Sequence, residues 1–134
     1  MHKGFLQWAA LLGALAVGLG AFGAHGLKSI VPPETVTAFE TGVRYQFYHV
    51  FALLAVAILH EKAPGKWLRY AGICFLLGIL LFSGSLYLLT ALKATETVGA
   101  EKFGLITPFG GLFFIAGWLL LLLGVGKISL KSVK

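Results

Sequence analysis

The residues of this sequence that could do chemistry are few, and they lie close together. Gly42, Tyr45, Gln46 and His49 follow i, i+3, i+4, i+7 spacing, so they share one helical face, with Arg44 beside them. His25, Ser83, Ser85, Tyr87 and Thr107 complete a candidate polar cluster, and Thr90 lies nearby. An imidazole beside an amide, a guanidinium and a phenol can relay protons or hold an anionic headgroup. Two histidines at one depth, His25 and His49, could ligate haem iron from facing helices, although no haem-attachment motif accompanies them. The plainer use of the same groups is a hydrogen-bonded network that ties helix ends together.

Other chemistries lack their residues. The chain contains no aspartate, and each glutamate falls in a loop or interfacial stretch. Cys74 sits in an apolar run, where a small core residue is the expected role. His60 belongs to the charged turn His60-Glu61-Lys62, and His2 to the amino-terminal tail. We therefore expect no catalytic constellation, no metal site and no cofactor.

The elements that position the cluster follow from composition. Of 134 residues, 58% are hydrophobic and 12% charged, against about a quarter charged in a soluble domain. The balance excludes a disordered chain, and a single cysteine excludes a disulfide scaffold. Four apolar runs, at about 5–25, 43–60, 67–91 and 107–125, each suit a bilayer about 30 Å thick. The first could be read as a secretory signal, with Lys3 as its basic start and Ala21–Ala24 as a loose cleavage site. It outruns the usual apolar core of ~7–15 residues, however, and a membrane span is the expectation. Pro33 and Glu34 suit a helix start, Glu40 and Arg44 an exposed ion pair, and Thr107-Pro108 an N-cap and first turn. There is room for a short interfacial helix between spans one and two.

Charge orients the spans. The amino terminus, the 60–69 loop and the tail carry Lys3, Lys62, Lys66, Arg69, Lys127, Lys131 and Lys134, opposed only by Glu61. The other side carries Lys28, Arg44, Lys93 and Lys102 against Glu34, Glu40, Glu96 and Glu101. The net charge of +6 therefore sits on one face, which places both termini in the cytoplasm of an inner or plasma membrane. Lysines at span ends point to the lipid bilayer as partner, and not to nucleic acid. Of the polar residues within the spans, most gather at the opposite, outer end.

Association between membrane helices depends on close backbone approach. Gly110, Gly117 and Gly124 recur every seven residues in the fourth span, as do Ala71, Gly78 and Ser85 in the third and Gly13 and Gly20 in the first. The pattern predicts an all-α membrane protein, four transmembrane helices in an antiparallel bundle. A small-residue face left over, on the fourth span in particular, would allow a homo-oligomer.

Four stretches then carry a resemblance: LGAFGAHGLK at 19–28, FETGVRYQFYH at 39–49, GILLFSGSLY at 78–87 and ITPFGG at 106–111, with Gly117-Trp118. Together they touch all four spans, and the chain resembles the small bacterial membrane proteins of the YgdD/YwdK type, which also have animal relatives. The resemblance implies a multi-pass membrane protein without an established activity. The reading is an integral membrane protein acting by packing or as an accessory. The alternatives are a small transporter or channel, or a lipid, quinone or haem binder, using the outer cluster.

Overall fold

The computed structural model describes residues 1–128, so Lys131 and Lys134 of the basic face lie outside the described residues. Four helices are long and apolar enough to cross a membrane. These are α1 (Lys3–Ala24), α2 (Pro33–Leu59), α3 (Lys66–Ala94) and α4 (Thr107–Val125). Short 3-10 turns at Gly26–Ser29 and Ala100–Ile106 precede α2 and α4. The first of these turns is all that separates spans one and two. Helix α2 runs unbroken from Pro33, because Pro32 enters it extended and Pro33 and Glu34 suit its first turn.

Helix α2 is the centre of the fold. It packs against α1 on one side and α3 on the other, while α4 packs chiefly on α3. Helices α1 and α4 therefore lie at the flanks and leave much of their apolar surface exposed.

Glycines set both flank interfaces. Across α1 and α2, Gly13 faces Val50, Gly20 faces Val43 and Gly23 faces Phe39, an antiparallel register in which β-branched and aromatic side chains fill the space of missing Cβ atoms. Across α3 and α4 the fit is tighter. Leu68, Phe75 and Phe82 of α3 lie against Gly124, Gly117 and Gly110 of α4, and Phe114 of α4 lies in turn against Gly78 of α3. The seven-residue glycine period is thus spent inside the protomer, and α4 offers no free glycine face, contrary to the sequence expectation.

Within α3, residues Ile79–Ser83 form a π turn. Such turns are rare inside α-helices and are frequent at functional sites. Here α3 is held from both sides at one level: Gly110 of α4 abuts the Phe82 backbone, and Ser83 reaches the Gly42 carbonyl of α2 at 2.6 Å.

The end of the bundle that carries the amino terminus has its own fastening. His2 is the N-cap of α1 and no loose tail residue: its Nδ1 accepts from the Phe5 N–H at 3.2 Å. The His2 N–H donates to the Ala57 carbonyl at 3.0 Å, and the His2 and His60 rings meet edge to face at 5.3 Å. The Met1 ammonium pairs with Glu61 at 3.6 Å. Partial burial lowers the His60 pKa from its ordinary 6.5, and the neighbouring His2, amino terminus and Arg69 lower it further. The folded state thus prefers neutral His60. Its contribution is present above pH 6.5 and is lost as the pH falls through the depressed folded value. Thermal unfolding in detergent at about pH 7.5 and 5.5 is expected to show a drop in Tm at the lower pH, smaller in His60→Gln. Equal drops in both proteins would remove His60 from the account.

Candidate functional site

Gln46 is the central residue of α2, and its side chain bridges three helices. One end of the amide meets the Leu12 carbonyl of α1 at 2.7 Å and the other meets the Tyr87 hydroxyl of α3 at 2.7 Å. A carbonyl can only accept, so the nitrogen faces Leu12 and Oε1 accepts from Tyr87. Burying an amide among apolar helices is costly unless both ends are satisfied, and here both are.

One turn further on, His49 is 4% exposed and lies flat on Phe114, with ring centroids 3.5 Å apart and planes within 6°. Its Nδ1 is 2.7 Å from the Tyr45 carbonyl, and its Nε2 is 3.2 Å from the Trp118 indole nitrogen. The carbonyl requires a proton on Nδ1, and the indole N–H requires a lone pair on Nε2. The two partners together fix a neutral imidazole in one tautomer. Phe75 and Trp118 pack at its edges, and Tyr45 stacks on Phe82 at 4.6 Å, so the imidazole sits in an aromatic cage.

The hydroxyl residues are spent in the same way. Ser83, fully buried, donates to Gly42 of α2. Ser85 bonds the Phe82 carbonyl at 2.8 Å and the Thr107 hydroxyl at 2.6 Å. Thr107 is therefore a cross-helix partner and not the N-cap of α4; Ile106 occupies that position, with no side-chain cap. Thr90 bonds back to the Leu86 carbonyl.

The structure brings Gln46, His49, Ser83 and Ser85, all buried, together with the half-buried Tyr87 and Thr107 into this network, with Tyr45 at its margin, 37% exposed. It leaves out His25 and Arg44. His25 is exposed in the turn that ends α1, since Leu27 and not the imidazole turns inward there. Arg44 is exposed and makes no ion pair with Glu40; among the described residues the sole ion pair is the one between Met1 and Glu61. The network also lies nearer the middle of α2 than its Pro33 end, because that helix begins ten residues before the apolar run does. Trp118 was the partner that spacing could not supply, although an indole N–H in an apolar span must find an acceptor.

Beside the network, α1 and α3 diverge. Phe5 closes their gap at one end against Gly72, and beyond it a cleft of about 480 Å³ opens between Leu12, Leu15 and Leu19 of α1 and Leu76 and Leu80 of α3. Gln46 and Tyr87 also line it.

Comparisons with known proteins agree with this picture of a membrane helix bundle. Residues 19–111 match the family model described as Protein of unknown function (DUF423). The chain is 40% identical to the UPF0382 membrane protein YwdK of Bacillus subtilis, over 93% of this chain and 98% of that one. It is 42% identical to a UPF0382 membrane protein of Haemophilus influenzae, over 95% and 97%. It is 37% identical to the UPF0382 inner membrane protein YgdD of Escherichia coli, over 96% and 93%. No solved structure matches the chain. With near-complete coverage of relatives from three organisms, all called membrane proteins, the chain belongs to the DUF423 family of UPF0382 membrane proteins.

Proposed function

We propose that the protein is a non-enzymatic packing protein of the membrane that self-associates through the outward face of α1, with both termini in the cytoplasm. One observation carries the self-association. Gly72, Gly78, Gly110, Gly117 and Gly124 of α3 and α4 are filled from within the protomer, whereas Ala10, Ala14, Gly18 and Ala21 make an exposed small-residue stripe on the face of α1 turned away from α2. Nothing lies within 4 Å of where a Gly18 side chain would begin. Small residues at four-residue spacing let two membrane helices approach closely, where dispersion contacts and backbone proximity hold them. The buried network supports the non-enzymatic part: both nitrogens of His49 and both ends of Gln46 are already engaged. The lysines around the 60–69 turn, with Lys3, support the cytoplasmic orientation.

Gly18→Leu is expected to turn an oligomer into a monomer in mild detergent, read by native mass spectrometry, with an unchanged Tm. A monomeric wild type, or an oligomer indifferent to the substitution, would sink the reading. The cleft between α1 and α3 favours a second reading, the binding of a long apolar molecule such as a lipid or quinone with Gln46 and Tyr87 beside it. A retained small-molecule adduct in the same spectra is its mark.

A further inference from the structure

At the end of the bundle bearing the amino terminus, the start of α3 gathers positive charge that nothing described there neutralises. The Lys66 and Lys127 ammonium groups stand 5.2 and 5.3 Å from the centroid of the same indole, Trp67. An aromatic face attracts one cation, but two ammonium groups on one ring repel each other. The Trp67 Nε1–H is buried and has no hydrogen-bond partner among the described residues. It belongs to a side chain lining a cavity of about 140 Å³, bounded also by Gly65, Leu68, Gly124 and Lys127. Helix α3 begins here after Gly65, without a side-chain cap and without an acidic residue in its first turn. Its free N–H groups add partial positive charge on the same spot. The nearest acid in sequence, Glu61, is held by the Met1 ammonium.

We propose that this corner is a binding site for the phosphodiester headgroup of an anionic membrane lipid. A phosphate supplies the negative charge that relieves the two lysines, and the indole N–H, which is covered in the structure, gains its acceptor as the lysine side chains part to admit it. Lys62 and Arg69 flank the same turn and add long-range attraction. A lipid is the source the position selects. Lys66 and Trp67 open a helix whose next turns are apolar, so a headgroup bound there keeps its acyl chains alongside α3. Gly124 contributes by omission: Leu68 occupies the place of its side chain, which draws α4 close enough to bring Lys127 over the ring.

The test is native mass spectrometry of the full chain released from vesicles of mixed phosphatidylglycerol and phosphatidylcholine. The wild type is expected to keep phosphatidylglycerol in preference to phosphatidylcholine. The Lys66→Gln/Lys127→Gln double variant is expected to keep about thirtyfold less, each ammonium near a membrane surface being worth roughly fivefold in attraction. A Lys93→Gln/Lys102→Gln control at the opposite end is expected to behave as wild type. Equal phosphatidylglycerol retention by wild type and the Lys66/Lys127 variant overturns the proposal. So does an adduct of inorganic phosphate that depends on Lys66 and Lys127 while the lipid adduct does not. Lys66 and Lys127 are exposed, so unchanged Tm values separate loss of the site from loss of the fold.

Discussion

Gly110→Ala is expected to destabilise the protein by about 3 kcal/mol, the upper end of what an overpacked methyl group costs. The reason lies in what the methyl would meet. At Gly117 a new Cβ would stand 2.6 Å from the Phe75 ring, which can tilt. At Gly110 it would meet the backbone nitrogen and Cα of Phe82, and backbone within the π turn of α3 has nowhere to rotate. Helices α3 and α4 would have to move apart as bodies. That movement would also stretch the bond between Ser85 and Thr107 on the same interface. A graded series makes the comparison internal: Gly110→Ala most harmful, Gly117→Ala intermediate at about 1–2 kcal/mol, and Gly18→Ala without loss of protomer stability, since its methyl enters open space within the protomer. Unfolding by sodium dodecyl sulfate in mixed micelles gives the order. Gly110→Ala and Gly18→Ala with equal stability would show that the α3–α4 contact is looser than described.

The second large effect is expected at His49. His49→Ala removes a ring stacked 3.5 Å from Phe114 and leaves the Trp118 N–H without an acceptor. A cavity of that kind, with an orphaned donor, costs about 3 kcal/mol. His49→Phe separates the two parts. The ring remains against Phe114, the hydrogen bond is lost, and the expected cost falls to about 1 kcal/mol, within the ~0.6–1.7 measured for hydrogen bonds between membrane helices. Adding Trp118→Phe to His49→Phe removes the unpaired donor and is expected to recover most of that loss. A double variant no better than the sum of the singles would mean that indole and imidazole are not partners.

The helices were legible because a bilayer demands about twenty apolar residues per crossing, and charges mark the ends. The seven-residue glycine period was legible as well, but its destination was not. Spacing shows that Gly110, Gly117 and Gly124 share a face; it does not show that Phe82, Phe75 and Leu68 occupy it. The polar residues divide in the same manner. Gln46, His49 and Ser83 could be selected because a buried polar group must be paired. Their partners are chiefly backbone carbonyls, at Leu12, Tyr45 and Gly42, and a carbonyl has no signature in a sequence. His25 and Arg44 were selected by the same rule and sit at the surface, where the rule does not apply.

The placement of the buried bonds has a consequence for how the chain is made. Helices α1 and α2 form one hairpin that owns its glycine contacts and the bond from Gln46 to Leu12. Helices α3 and α4 form another, with its own glycine contacts and the pair of Ser85 and Thr107. What joins the two is the rest of the network: Gln46 to Tyr87, Ser83 to Gly42, and Trp118 to His49. A ribosome delivers the first hairpin to the bilayer before the second exists, so His49 enters lipid with one nitrogen unanswered until the fourth helix arrives. The network then acts as the seam that tells two finished halves they have met.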